Sequence, residues 1–320
     1  MATTPVLQSW LVQLGMAREV TWGTAVSPTT VDQFFTVVNP KFENDIDPVP
    51  DDGFRGIASQ DFALNQGFRY ARFTFETQLL PQNSGTLFQA LQGGVDAISG
   101  AGPYVHPIPQ LNTGLPPSYS LWYYDATLAT SRQMLGAYLE KLNLKYSSTG
   151  ALKATVSFVG KYFSTGTKPT AVYEAAQPFI PWQNTATVNA SALVGARLID
   201  LDMSFDRKWS GYWGGGGTQD LTAASVGPIA ATGTAVFASI DNTDIDLYHN
   251  NTQGQFQALF SQSASAKLQI NMNTTAFEKG SVIDSSKPEL MTSLKFRALY
   301  NSVDLGTLRP TITNNKSTIY

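Results

Sequence analysis

The amino-acid sequence predicts a mainly β protein, a sandwich or barrel with short flanking helices and an internal duplication. Three observations carry that reading. Charged residues make up only 14% of the chain, against about one quarter in an ordinary globular protein, and Thr, Ser, Asn, Gln and Gly fill the gap. Such a mix favours strands and turns, because helix surfaces draw on Glu, Lys, Arg and Ala. Residues 69–79 alternate, with Ala71, Phe73 and Phe75 on one face and Arg72, Thr74 and Glu76 on the other, the period of a half-buried strand. Residues 138–163 read as a long hairpin around the turn Ser147-Ser148-Thr149-Gly150. Its apolar face holds Leu142, Leu144, Tyr146, Leu152, Val156, Phe158 and Tyr162, and its polar face holds Lys141, Asn143, Lys145, Lys153, Thr155, Ser157 and Lys161.

The remaining elements follow in order. Residues 1–33 read as an N-terminal arm rich in Thr and turns. A short strand follows at 34–38, and a loop at 40–56 carries Asp45, Asp47, Asp51 and Asp52. Residues 84–91 predict a helix, capped by Ser84 and ended by Gly93-Gly94. Residues 100–117 form a Pro- and Gly-rich loop. The second half opens with a strand at 198–205, where Ile199, Leu201, Met203 and Phe205 oppose Asp200, Asp202 and Ser204. A Gly-rich loop at 211–217, a strand at 232–240, a helix at 252–260 and strands at 265–272, 290–299 and 308–313 complete the chain.

The halves echo each other in element order. Phe88-Gln89-Ala90-Leu91 recurs as Phe256-Gln257-Ala258-Leu259, on an expected helix both times, and Ser59-Gln60-Asp61 is echoed by Thr218-Gln219-Asp220. The organisation expected is an arm at 1–33, a first β domain at 34–168, a linker at 169–189 and a second β domain at 190–320.

Catalytic chemistry finds little to work with. There is no cysteine, so thiolate metal sites, disulfides and Cys nucleophiles are excluded. His106 and His249 lack metal-ligand spacing and read as loop histidines. No G-x-S-x-G turn is present. Residues 160–168 pass near a phosphate-loop pattern but lack its G-K-[ST] ending. The acidic run 241–246 lacks the Gly and the terminal Glu of a calcium loop. Neither a catalytic residue, a metal nor a cofactor is expected. A net charge of -3 with no basic run argues against a sequence-reading DNA binder. No apolar run reaches membrane-spanning length, and the N-terminus lacks the pattern of a secretory signal. Trp209, Tyr212 and Trp213 flank the glycine loop and suit either a sugar platform or, the preferred reading, an anchor between subunits.

The segment from Leu14 to Thr29 resembles the opening of phage tail tube proteins. Gly15, Glu19, Thr21, Trp22, Gly23, Thr24, Ala25 and Pro28 match that opening. The pair Arg55-Gly56 and the helix at 85–91 follow in a similar order. The resemblance is sharp over about the first 95 residues and architectural beyond them. It implies a non-enzymatic virion protein with the tail-tube fold, assembled in the host cytoplasm. Such subunits form stacked rings whose inner strands close into one barrel around the DNA channel. A duplicated chain implies trimeric, pseudo-six-fold rings, and a single enlarged domain implies hexamers. The resemblance also implies the tape measure protein and the tail terminator as partners, and DNA that passes without sequence-specific contact. Glu19, Thr21, Trp22, Gly23 and Pro28 become candidates for an assembly arm. Arg72, Thr74, Glu76, Asp200 and Asp202 become candidates for the lumen face, where an acidic or neutral lining is expected and the hairpin lysines sit awkwardly. The alternatives are a carbohydrate-binding sandwich, motivated by 12% aromatic residues, or another virion structural protein, some of which begin in a similar way.

Overall fold

The computed structural model describes residues 9–31, 33–53, 55–56, 62–188, 191–193, 198–214, 217–239, 243–284 and 290–320. The expected mainly β architecture is present, with two α-helices among the described residues. The first half contains β1 (Val12–Arg18), β2 (Gln33–Phe35), β3 (Val37–Asp51), β4 (Ala63–Gln78), α1 (Asn83–Gln92), β5 (Tyr104–Pro107), β6 (Tyr119–Asp125), β7 (Thr130–Ser147), β8 (Gly150–Gly160) and β9 (Ser164–Thr167). The second contains β10 (Thr185–Val188), β11 (Ser191–Leu193), β12 (Leu198–Tyr212), β13 (Ala223–Ala238), α2 (Thr243–His249), β14 (Gly254–Ser263), β15 (Ala266–Asp284), β16 (Leu290–Ala298) and β17 (Arg309–Asn314).

The strand pairing of the first half recurs in the second. β3–β4, β4–β8 and β7–β8 are matched by β12–β13, β13–β16 and β15–β16. β1–β2, β1–β6, β6–β7 and β7–β9 are matched by β10–β11, β10–β14, β14–β15 and β15–β17. Even the irregularities coincide. The register slips past Glu140 in β7 and past Glu278 in β15, each next to a pair made by a phenylalanine, Leu139↔Phe158 and Phe277↔Phe296. It slips again after Ile46 in β3 and after Arg207 in β12. A bulge fixes local twist and register, so bulges at matching places imply matching backbone paths.

Each half is a sandwich of two sheets that share one long strand. β7 pairs with β6 and β9 in its first part and with β8 in its second, and β15 does the same with β14, β17 and β16. Two further pairings, β7–β12 and β5–β17, join the halves, the first of them within the long sheet. The result is a continuous antiparallel run in the order β3-β4-β8-β7-β12-β13-β16-β15. Its apolar face meets the smaller sheets. Phe35 packs on Phe75 at 5.7 Å, Tyr123 on Phe73 at 5.4 Å and Phe256 on Phe296 at 4.5 Å between ring centres. These contacts belong to one continuous core that spans both halves.

Several expectations need correcting. Residues 12–18 are not an arm: β1 lies between β2 and β6, and Leu14 and Met16 are core residues. Residues 40–51 are not a loop but most of β3. Pro40, Pro48 and Pro50 are tolerated because β3 is an edge strand, where a missing N–H breaks no ladder bond. Residues 252–260 are not a helix. Phe256, Ala258 and Phe260 alternate inward along β14, and the second helix comes earlier, at Thr243–His249. The Phe-Gln-Ala-Leu echo therefore falls on a helix once and on a strand once. His106 lies in β5, not a loop, and His249 closes α2 instead of preceding a helix. Residues 59–61 and 241–242, used in two of the sequence readings, lie outside the described residues.

Helix α1 is buried along its whole length. Its start is held by Glu174, whose carboxylate accepts from the Gln82 and Asn83 N–H groups at 2.9 and 3.1 Å, so the cap comes from the connecting segment and not from Ser84. Gly93 ends it in the left-handed conformation, as expected.

Candidate assembly surface

The polar face of the long sheet gathers all five lumen candidates. Along β4 it carries Arg72, Thr74 and Glu76, paired in register with Val159, Ser157 and Thr155. Along β12 it carries Asp200, Asp202, Ser204 and Asp206, which face Ser147, Lys145, Asn143 and Lys141 of β7. The hairpin residues Lys141 and Lys145 and the second-half aspartates are thus neighbours on one surface. Lys141 lies 3.5 Å from Asp206, and Arg72 lies 3.2 Å from Glu140. Farther along, Glu278 holds Lys295 at 3.4 Å and pairs with Arg297. Those two cations keep the Glu278 carboxyl below the ordinary carboxylate range, with the Arg297 hydrogen bond the largest cause. A shallow depression between Arg72, Glu140, Lys141 and Asp206 lies on this face. Carboxylates and cations are interspersed on this face, with Asp202 opposite Lys145 and Asp206 opposite Lys141, although Lys145 also faces Lys153 and Lys279 faces Lys295.

The matching N-terminal residues do internal work. The Glu19 carboxylate is buried and accepts four hydrogen bonds, from Gly23 N at 2.8 Å, Ser118 Oγ at 2.6 Å, Ser120 Oγ at 2.9 Å and Gly136 N at 2.8 Å. Four donors on one carboxylate compensate its burial. The Trp22 ring lies over Gly136, where a Cβ would come within 2.8 Å of it, and Lys161 sits 4.6 Å from the ring centre. Gly23 and Gly136 both have positive φ, so this corner needs glycine at both places. Thr21 is exposed and Pro28 begins a short 3-10 turn on the surface.

Trp209 and Trp213 are likewise engaged within the chain. They lie 6.3 Å apart; Trp213 stacks on Phe68 at 5.3 Å and Trp209 meets Tyr70 at 5.5 Å. Beside them Arg69 grips Asp220 through two hydrogen bonds, at 2.5 and 3.1 Å. This cluster ties the β12–β13 hairpin to β4 across the two halves. Of the three aromatics, Tyr212 is the exposed one, at 55%.

Sequence reasoning missed Arg207. It is buried, donates to Gly227 O at 3.1 Å and Leu91 O at 2.9 Å, and so couples the end of α1 to the second half. Burial brings its pKa down to about 10, which leaves it charged at neutral pH. An arginine in an alternating strand carries no local mark of such a role.

The chain matches the family described as phage tail tube protein over residues 9–298. It belongs to that family. The tail tube family accounts for the mainly β sandwich, and its members are structural proteins of the virion tail that assemble into the tube. No curated protein matches the chain. Among the described residues no cluster of His, Asp or Glu could hold a metal ion, and no helix is long and apolar enough to cross a membrane. In this tail tube chain Glu19, Trp22 and Gly23 form a packed corner with Ser118, Ser120 and Gly136.

Proposed function

We propose that this chain polymerises into rings of three copies, and that the rings stack into a hollow tube through which DNA passes. The observation that supports it is the doubled strand pairing, which gives each chain two equivalent wall segments already joined at β7–β12. Three such chains supply six segments. The polar face of β3-β4-β8-β7-β12-β13-β16-β15 would line the channel, with Arg72, Thr74, Glu76, Asp200 and Asp202 on it. Interleaved charges suit that role. Phosphate binding strengthens with each unpaired cation that releases counterions, and here Arg72, Lys141, Lys295 and Arg297 are paired with carboxylates. The exposed parts of residues 20–31 would then meet the adjacent ring. Against a sugar platform at the glycine loop, Trp209 and Trp213 are engaged by aromatic partners of their own chain.

Negative-stain electron microscopy of the purified chain across a concentration series, with native mass measurement, tests this. Rings or tubes with a central hole and three chains per ring are expected. Six chains per ring would refute the stoichiometry, and solid or planar assemblies would refute the tube.

A further inference from the structure

We infer that the ring closes by antiparallel pairing of β3 of one copy with residues 279–283 of β15 in the next, in the register that the chain already uses at β7–β12. The inference rests on the ring reading above and specifies its seam.

The internal joint supplies the template. β7 in the first half corresponds to β15 in the second, and β12 corresponds to β3. At the joint, β7 pairs with β8 on one edge and with β12 on the other. Among the described residues, the equivalent part of β15 pairs with β16 on one edge only: its partners β14 and β17 stop at Thr275 and Asn271. At the far end of the run, β3 pairs with β4 and, among the described residues, with no other strand. One chain therefore ends in two open edges that are the counterparts of the two edges already joined in its middle. An open edge is a row of unpaired N–H and C=O groups, and head-to-tail pairing around a closed ring satisfies those along the paired stretch.

Side chains agree with the pairing. Matching the bulges places Asp45 where Asp206 stands and Lys279 where Lys141 stands, so the ion pair Asp206–Lys141 has its counterpart in Asp45–Lys279. Phe42 and Val282 take the places of Met203 and Leu144. Leu144 is fully buried, whereas Val282 is 52% exposed on the corresponding face, as expected of a core position whose neighbouring strand is absent. Glu43 would face Ser281 as Ser204 faces Asn143. Prolines at 40 and 48 bracket the stretch 41–46 and limit pairing to that window, which discourages slipped or open-ended association. The helices fit as well: α1 covers the internal joint and is wholly buried, while α2, which packs on Gly280, keeps Tyr248 exposed beside the open edge.

The chain has no cysteine, so a pair of introduced cysteines reports on this seam alone. Residues directly opposite in an antiparallel pair lie within disulfide reach, about 4.5–5.5 Å between Cα atoms. The chain carrying Asp45→Cys and Lys279→Cys should, in rings oxidised with copper–phenanthroline, run on a non-reducing gel as covalent dimers and trimers with little monomer. Either single variant should stay monomeric on that gel. In parallel, Asp45→Lys or Lys279→Asp alone should cut the yield of rings at least several-fold, and the two together should restore most of it. Rings that form normally from the double-cysteine chain without cross-linking would overturn this seam and leave the ring reading intact. Cross-linking of Asp45→Cys to Ser281→Cys in preference to Lys279→Cys would overturn the register. A chain that stays monomeric at every concentration would overturn both seam and ring.

Discussion

Arg72 and Arg297 serve equivalent glutamates from opposite members of a strand pair. Glu140 and Glu278 are the bulge residues of β7 and β15. Arg72 reaches Glu140 from β4, where it pairs with Val159 of β8. Arg297 reaches Glu278 from β16, where it pairs with Thr232 of β13. The carboxylate has stayed in place between the halves while its cation has crossed to the neighbouring strand. Both sites are partly exposed, so each ion pair contributes modestly. Arg72→Ala and Arg297→Ala should each lower stability by about 1 kcal/mol or less, with the loss shrinking in high salt, as read by urea unfolding at two ionic strengths.

Glu19 should be far less tolerant. Gln keeps one acceptor oxygen but turns an NH2 toward groups that are themselves donors. Glu19→Gln is expected to cost about 2–4 kcal/mol in urea unfolding, from lost charge-assisted bonds and unsatisfied buried N–H groups. A near-neutral result would show that the corner formed by Gly23, Ser118, Ser120 and Gly136 is held by packing instead.

Glu174 gives a pH-dependent test. Burial, the largest influence, raises its pKa above the ordinary carboxylate range, and the two backbone donors at the start of α1 only partly oppose this. A raised folded-state pKa means that stability is fullest below the unfolded value and declines as pH rises through the folded one. The Tm of Glu174→Gln, relative to the unaltered chain, should therefore improve as pH is taken from about 4 to about 7. Glu174→Ala, which removes the acceptor, should lose about 1 kcal/mol. A pH-independent difference for Glu174→Gln would sink the assignment.

Tyr320 and Gly85 form one contact. A Cβ on Gly85 would lie 2.0 Å from the Tyr320 ring, so the C-terminal side chain occupies the space that a missing methyl leaves on α1. Gly85→Ala should destabilise by displacing Tyr320, and deletion of Tyr320 should destabilise by uncovering α1. Since both remove the same contact, the double variant should cost clearly less than the two changes summed, a coupling measurable by a double-mutant cycle. Strict additivity would rule this out.

Much of the architecture is legible in the sequence where one face is wet. Residues 69–79 and 138–160 alternate because their polar side meets solvent. β6 is hidden because Tyr119–Asp125 is almost wholly buried and its aromatic run has no period. β3 is hidden by its prolines, which only an edge can accept. The duplication is visible in Glu140-Lys141 and Glu278-Lys279, yet a two-residue match has no force until the bulges align. For the candidate surface, alternation placed Arg72, Thr74, Glu76, Asp200 and Asp202 on polar faces. That these share one sheet depends on β7–β12, a pairing between distant strands that no local pattern announces.

The β7–β12 joint also changes the cost of building anything larger. Two segments tethered by the short connection through residues 168–184 meet at an effective concentration on the order of millimolar, whatever the amount of protein in the cell. Translational and rotational freedom is then surrendered once per chain rather than once per segment. In the proposed ring, every second seam would be settled before one subunit encounters another, and only the alternate seams would remain free to respond to concentration.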